Sequence, residues 1–181
     1  MKELYSEFQI HKLGLDIRLV NESDAGFILS LRTNNRLNKF LHQTEDDIEK
    51  QTEWIKEYKK REREGREYYF VYLKDGVKVG VNRIYNVYAY YGTIGSWICK
   101  PDNDPEISIA TYILMFDLLF DYLMLEIAIF EVQLGNRQVI KLHKMLGVQE
   151  VGKTEEYVFF TLNKKAYRDN RNKLVSIFNL K

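Results

Sequence analysis

Gly92-Thr-Ile-Gly-Ser-Trp-Ile-Cys99, Lys100-Pro-Asp-Asn-Asp-Pro105, the apolar run Glu106 to Tyr122, and Glu126-Ile-Ala-Ile-Phe-Glu-Val132 follow one another in the sequence. The first segment is apolar and β-prone and reads as a strand. The second holds Pro101 and Pro105, and these two prolines are all the chain has, so the backbone makes its one irregular turn there. The third has the length and composition of a buried helix, from about Glu106 to Tyr122. The fourth is β-branched and aromatic, a second buried strand. Strand, loop, helix and strand in that order make a crossover between parallel strands. A helix launched from a strand end also gathers free backbone N–H groups at one point, which favours phosphate.

Upstream of this unit, Ile17-Arg-Leu-Val20 alternates as a strand, and Ala25 to Arg32 reads as a short helix. A second helix is expected from about Thr44 to Glu64, with Thr44 as cap and Ile48, Gln51, Trp54, Ile55 and Tyr58 as its stripe. Tyr68 to Leu73 and Val77 to Tyr85 are strands joined by Lys74-Asp75-Gly76, whose Asp-Gly pair favours a tight hairpin. Downstream, Asn136 to Leu146 reads as a helix stopped by Gly147, and strands follow near Val148–Lys153 and Tyr157–Leu162. The tail from Asn163 is polar as far as Leu174. The pattern predicts an α/β (α+β) domain, a mixed central sheet of about six or seven strands with helices on both faces.

Composition narrows the function classes. With 181 residues the chain suits a single domain, residues 1–181, whose core spans about 17–162. Lys and Arg total 27 against 26 for Asp and Glu, so the chain has no basic excess of the kind nucleic acid selects. The charged run Lys59 to Glu64 mixes both signs and reads as a solvated helix end. One cysteine, Cys99, excludes an intrachain disulfide; it reads as a packed strand thiol, and a reducing, cytoplasmic setting is expected. No apolar leader opens the sequence, and Asp117 and Asp121 make Ile107 to Ile129 too polar for a membrane span. No Cys/His set has metal spacing, and no Walker or dinucleotide loop is present.

The order of elements and several local motifs resemble the GNAT superfamily of acetyl-CoA-dependent N-acetyltransferases, from about Ile17 to Leu162. The family's pyrophosphate loop, Gln/Arg-x-x-Gly-x-Gly/Ala, falls on Pro105-x-x-Ser108-x-Ala110. Its second motif, an Asn followed by a helix ending in Leu-Gly, falls on Asn136-Arg-Gln-Val-Ile-Lys-Leu-His143-Lys-Met-Leu-Gly147. The N-terminal half is similar to the RimJ/RimL-like branch, and to members that acylate nucleotide-linked amino sugars. It carries Leu31-Arg32, Asn38-Lys-Phe-Leu41, Gln51-Thr-Glu-Trp-Ile55, Gly80-Val-Asn-Arg83-Ile-Tyr85 and Ile94-Gly-Ser-Trp-Ile98.

The resemblance implies transfer of an acetyl group from acetyl-CoA to a primary amine. A nucleotide-linked amino sugar of polysaccharide biosynthesis is the first acceptor expected. A protein N-terminus or a polyamine is an alternative, and a non-catalytic CoA-binding protein is another. It implies that Trp97 and Ile98, the amides at Ser108, Ile109 and Ala110, and Asn136 hold the cofactor. His143, seven residues after Asn136, takes the place of the family's proton-donating Tyr, and an imidazole titrates near neutrality. Glu126, Glu131 and His143 acting through water are the candidate proton acceptors. Arg32, Arg83 and Tyr85 are expected to bind the acceptor, with the Arg residues suited to phosphate. Neither metal, membrane nor nucleic acid is expected as a partner; monomer and homodimer are both compatible.

Overall fold

The computed structural model describes residues 3–180. Eight strands form one sheet in the order β1-β2-β3-β4-β5-β6-β8-β7. They are β1 (Gln9–Lys12), β2 (Leu15–Leu19), β3 (Tyr68–Lys74), β4 (Val77–Tyr85), β5 (Tyr91–Cys99), β6 (Ile127–Gln133), β7 (Gln149–Lys153) and β8 (Tyr157–Asn163). Five α-helices accompany them: α1 (Ala25–Arg32), α2 (Ile48–Arg63), α3 (Pro105–Asp117), α4 (Arg137–Met145) and α5 (Lys164–Ile177). All neighbours are antiparallel except β5 and β6, which α3 connects in parallel. The mixed sheet expected from the sequence is found, with β1 added at its edge.

Alternation along β3 shows how the sheet serves two cores. Tyr68, Phe70 and Tyr72 face α3, while Tyr69 and Val71 face α1 and α2, and all five are buried. Each such large side chain stabilises by about 1.5–3 kcal/mol through the apolar area it removes from water. The β3–β4 hairpin turns at Asp75 and Gly76, with φ of 50° and 76°, the left-handed pair the Asp-Gly sequence supplies cheaply.

Three boundaries differ from the sequence reading. Helix α2 begins at Ile48, because the Asp47 carboxylate accepts from the amides of Glu49 and Lys50 and caps it there. Thr44 instead accepts a hydrogen bond from Arg32. Helix α3 ends at Asp117 and continues as one wider π turn, Leu118–Tyr122. The polar tail is helical: Asn163 caps α5 at the amide of Ala166, and Tyr167 and Leu174 bury its inner face.

That helix is tied down at Asp117, a fully buried carboxylate. Arg171 donates to both its oxygens at 2.7 and 2.6 Å, Tyr167 donates at 2.6 Å, and Lys12 lies 2.9 Å away. Burial would push the Asp117 carboxyl up, but Arg171, Tyr167 and Lys12 hold it below its ordinary value. One carboxylate thus joins β1, α3 and α5.

Candidate active site

The site arises where the sheet comes apart. Strands β5 and β6 pair from Tyr91↔Ile127 to Thr93↔Ile129 and then diverge. On its other side β5 slips against β4: Arg83 faces Gly95 and Val81 faces Ile98, so β5 carries one extra residue between them. Ser96 sits in this bulge at φ 50°. A bulge bends a strand and turns its backbone groups away from the ladder. The divergence leaves a cleft of about 910 Å³ whose walls come from α1, α2, β4, β5, β6 and α4.

The acceptor wall is lined by Arg32, Trp54, Tyr69, Arg83 and Tyr85. Arg83 donates from Nε to Glu67 at 2.8 Å, and Arg61 donates to the other oxygen of the same carboxylate at 2.6 Å. The Arg83 guanidinium also lies 4.8 Å from the Trp54 ring centre and 5.0 Å from that of Tyr85. Such stacking holds a planar cation in place. Burial pushes the Tyr69 phenol up to about 12, so it faces the cleft as a neutral hydroxyl.

Arg32 differs from Arg83. Its Nε donates to the Thr44 hydroxyl at 2.7 Å and its Nη2 to the His42 carbonyl at 3.3 Å. Among the described residues no carboxylate comes within ion-pair distance of it. Burial, with the nearby charge of Arg83 adding to it, pulls its pKa below the ordinary arginine value. A guanidinium stays charged even so. Arg32 is therefore a partly desolvated cation whose charge the protein leaves unpaired.

On the opposite side, Trp97, Ile98, Cys99, Ser108 and Asn136 reach the cleft. Asp104, before α3, makes no side-chain cap; Pro105 has no N–H, and the amides of Ile107 and Ser108 donate to the Asp104 carbonyl at 3.0 and 3.4 Å. Trp97 donates to Thr111 at 3.0 Å and packs on Tyr112, fixing the floor. The parted seam leaves an open channel between β5 and β6 that reaches the start of α3 at Ser108. Cys99 is bonded to Thr111 at 3.1 Å, and burial pushes its thiol up to about 11, so it stays protonated near neutrality.

The structure thus brings seven of the expected residues, Arg32, Arg83, Tyr85, Trp97, Ile98, Ser108 and Asn136, to one cleft. Ala110 is buried behind it and Ile109 packs against the core. Glu126 lies before β6, at the closed end of the seam, where it is mostly exposed and 3.4 Å from Lys164. Three acidic residues line the cleft, Glu45 and Asp47 on the α1–α2 side and Glu131 on β6 beyond the parting point, and of these Glu131 lies on the parted sheet itself.

His143 is in the core and not in the cleft wall. It is 4% exposed, with its ring 4.4 Å from Phe130 and its Nδ1 hydrogen-bonded to the Tyr112 hydroxyl at 2.9 Å. Burial pushes its pKa down to about 3, so it is neutral near pH 7. The reason is helical phase: His143 lies four residues after Val139 and three before Leu146, on the inward stripe of α4. Trp54 and Tyr69 are cleft residues that the sequence did not single out as site residues, whereas Glu131 was among its candidate proton acceptors.

Residues 15–149 match the family model described as an acetyltransferase (GNAT) domain. Among solved structures the chain is similar to apo FdhC, a nucleotide-linked sugar GNAT, at 32% identity and a TM-score of 0.82, covering 92% of this chain and 96% of that one. It shares its fold with RimJ from Mycobacterium smegmatis in complex with CoA-disulfide, at 16% identity, a TM-score of 0.75, and 95% and 93% coverage. It shares it also with spermidine N-acetyltransferase from Vibrio cholerae in complex with CoA and spermine, at 16% identity, a TM-score of 0.74, and 87% and 99% coverage. No curated protein gives a significant match. Among the described residues no helix is long and apolar enough to cross a membrane, and no group of His, Cys, Asp and Glu could hold a metal ion. The match over most of the chain, on a sheet parted at β5 and β6, makes this protein a member of the GNAT family of acyl-CoA-dependent N-acetyltransferases.

Proposed function

We propose that this chain, working as one unit in the cytoplasm, transfers an acetyl group from acetyl-CoA to the amine of a nucleotide-linked amino sugar. The observation that carries the acceptor class is Arg32, a partly desolvated cation without a carboxylate partner in the acceptor half of the cleft. An acceptor phosphate would supply the missing charge through short, charge-assisted hydrogen bonds. A polyamine would meet repulsion from the same group. The likeness to FdhC, a nucleotide-linked sugar GNAT, supports the same choice.

Bound acetyl-CoA supplies an activated acyl carbon. Glu131 takes the proton from the acceptor ammonium, directly or through one water, and frees the nitrogen lone pair. The backbone amides of the β5 bulge, Ser96 to Ile98, polarise the thioester carbonyl while the nitrogen–carbon bond forms and the carbon–sulfur bond breaks. The thiolate then takes up the proton that the newly acylated nitrogen sheds. Trp54, Arg83 and Tyr85 orient the sugar and exclude water from that face.

The test is a thiol-release assay with acetyl-CoA against a panel of nucleotide-linked amino sugars, spermidine and an N-terminal peptide. Turnover is expected with the anionic amino sugars, and Glu131→Gln should lower kcat about a hundredfold while leaving the thermal shift by CoA intact. Preference for spermidine or peptide would overturn the acceptor class. Binding of CoA with no turnover of any amine would favour a non-catalytic CoA-binding protein.

A further inference from the structure

Helix α2 buries four residues, Gln51, Ile55, Tyr58 and Glu62, at the spacing of one helical face. Two of the four are polar, and the protein treats them differently. Glu62 accepts from the Tyr58 hydroxyl and from Lys59, so its carboxylate is engaged on both oxygens. Gln51 is only 8% exposed, and its backbone amide donates to the Asp47 carbonyl at 3.0 Å. Its side-chain carboxamide makes no hydrogen bond to any described residue. A carboxamide withdrawn from water without a partner is costly, and native proteins rarely leave one so.

The Gln51 carboxamide is not sealed in the core. Among the described residues, the one enclosed side-chain atom without a partner is Asn82 Nδ2, whose residue lies against Tyr72 in the interior. Gln51 instead lines the cleft together with Arg32 and Trp54. Trp54 follows it by three residues and stands one turn along on the same side of the helix. The two side chains offer complementary contacts. A carboxamide both donates and accepts, as a hydroxyl does, while an indole face suits the apolar C–H face of a sugar ring. A polyamine brings only donors and would leave the amide N–H groups of Gln51 unmet.

We infer that Gln51 is an acceptor-binding residue whose carboxamide hydrogen-bonds a ring hydroxyl of the amino sugar. It bears on which sugar is taken, and no proton of the reaction passes through it. The inference rests on the acceptor class proposed above and adds to it a determinant of specificity that is independent of Arg32.

The test compares the nucleotide-linked amino sugar that the wild type turns over with analogues that each lack one ring hydroxyl, by thiol release. At least one deletion is expected to lower wild-type kcat/KM about tenfold. In Gln51→Met, kcat/KM for the parent sugar is expected to fall about tenfold, mainly through the acceptor KM, and the penalty for that deletion to vanish. The KM for acetyl-CoA should stay as in the wild type. Ligand-free melting should hold or rise, because the substitution removes a buried amide that no protein group satisfies. Lower melting with unchanged kcat/KM would make Gln51 structural and overturn the assignment. So would a deletion penalty that persists in Gln51→Met, or a wild type indifferent to every deletion, a result that needs no variant. Preference of the wild type for spermidine or peptide would bring down the acceptor class and this inference together, whereas turnover of amino sugars with an indifferent Gln51→Met brings down this one alone.

Discussion

Asp117 and Arg32 are both charged groups withdrawn from water, and the protein treats them in opposite ways. Asp117 is given Arg171, Lys12 and the Tyr167 hydroxyl, more positive charge than it needs. Arg32 is given a threonine hydroxyl, a carbonyl and a second arginine nearby. The first arrangement is closed and has nothing left to bind. The second is open, and only a molecule from outside can complete it. Satisfied charges mark where this fold is fastened, and under the proposed function the unpaired Arg32 is where it meets the acceptor.

The contrast is sharpest if each group is removed. Asp117→Ala leaves two cations and a buried hydroxyl without their partner, and should cost about 3–5 kcal/mol of stability, read as a large fall in melting temperature with CoA-dependent activity intact in the folded fraction. The carboxylate of Asp117 is held below its ordinary range, so its contribution is present at neutral pH and is lost as pH falls through that depressed value. Arg32→Gln should behave the other way. Melting should stay level or rise, because a repelled, desolvated charge is gone, while kcat/KM for an anionic acceptor falls by about ten- to a hundredfold. If Arg32→Gln lowered melting and spared kcat/KM, the open charge would be structural after all.

His143 gives a third, smaller effect. Its folded pKa is pushed down to about 3 from an ordinary 6.5, so the unfolded chain takes up a proton first as pH falls. Stability from this group is therefore complete above about pH 6.5 and declines towards pH 3, at up to about 1.4 kcal/mol per pH unit. His143→Phe should flatten that slope, and should cost about 1–2 kcal/mol at neutral pH through the orphaned Tyr112 hydroxyl. Turnover at neutral pH should change little. A hundredfold loss of kcat with an unaltered acid profile would return His143 to the chemistry.

These cases also show what a sequence can and cannot reveal. The crossover around Pro101 and Pro105 was readable because a strand, a loop and a buried helix each leave a local pattern. Helix α5 was not, since its buried residues, Tyr167 and Leu174, are sparse among charges and its cap is a lone Asn163. His143 carries two local signals at once: the motif spacing points to chemistry, while its position on the Val139–Leu146 stripe points to the core, where the side chain sits. Glu126 and Glu131 sit on one short stretch, and nothing local distinguishes them, because the place where β5 leaves β6 depends on a partner strand far along the chain. Arg32 and Arg83 look alike in the sequence, and only the distant Glu67 separates a paired guanidinium from a free one.

The short seam between β5 and β6 has a mechanical meaning as well. Strands β1 to β5 form one plate and β6 to β8 another, and the ladder joining them runs only from Tyr91↔Ile127 to Thr93↔Ile129. Each plate is stiff along its own antiparallel ladders, while the weld between them is brief and lies wholly at one end. A load that spreads the open end acts on that weld with the full length of the strands as its lever. The sheet thus has the outline of a tuning fork, two tines of antiparallel strands joined at one short stem.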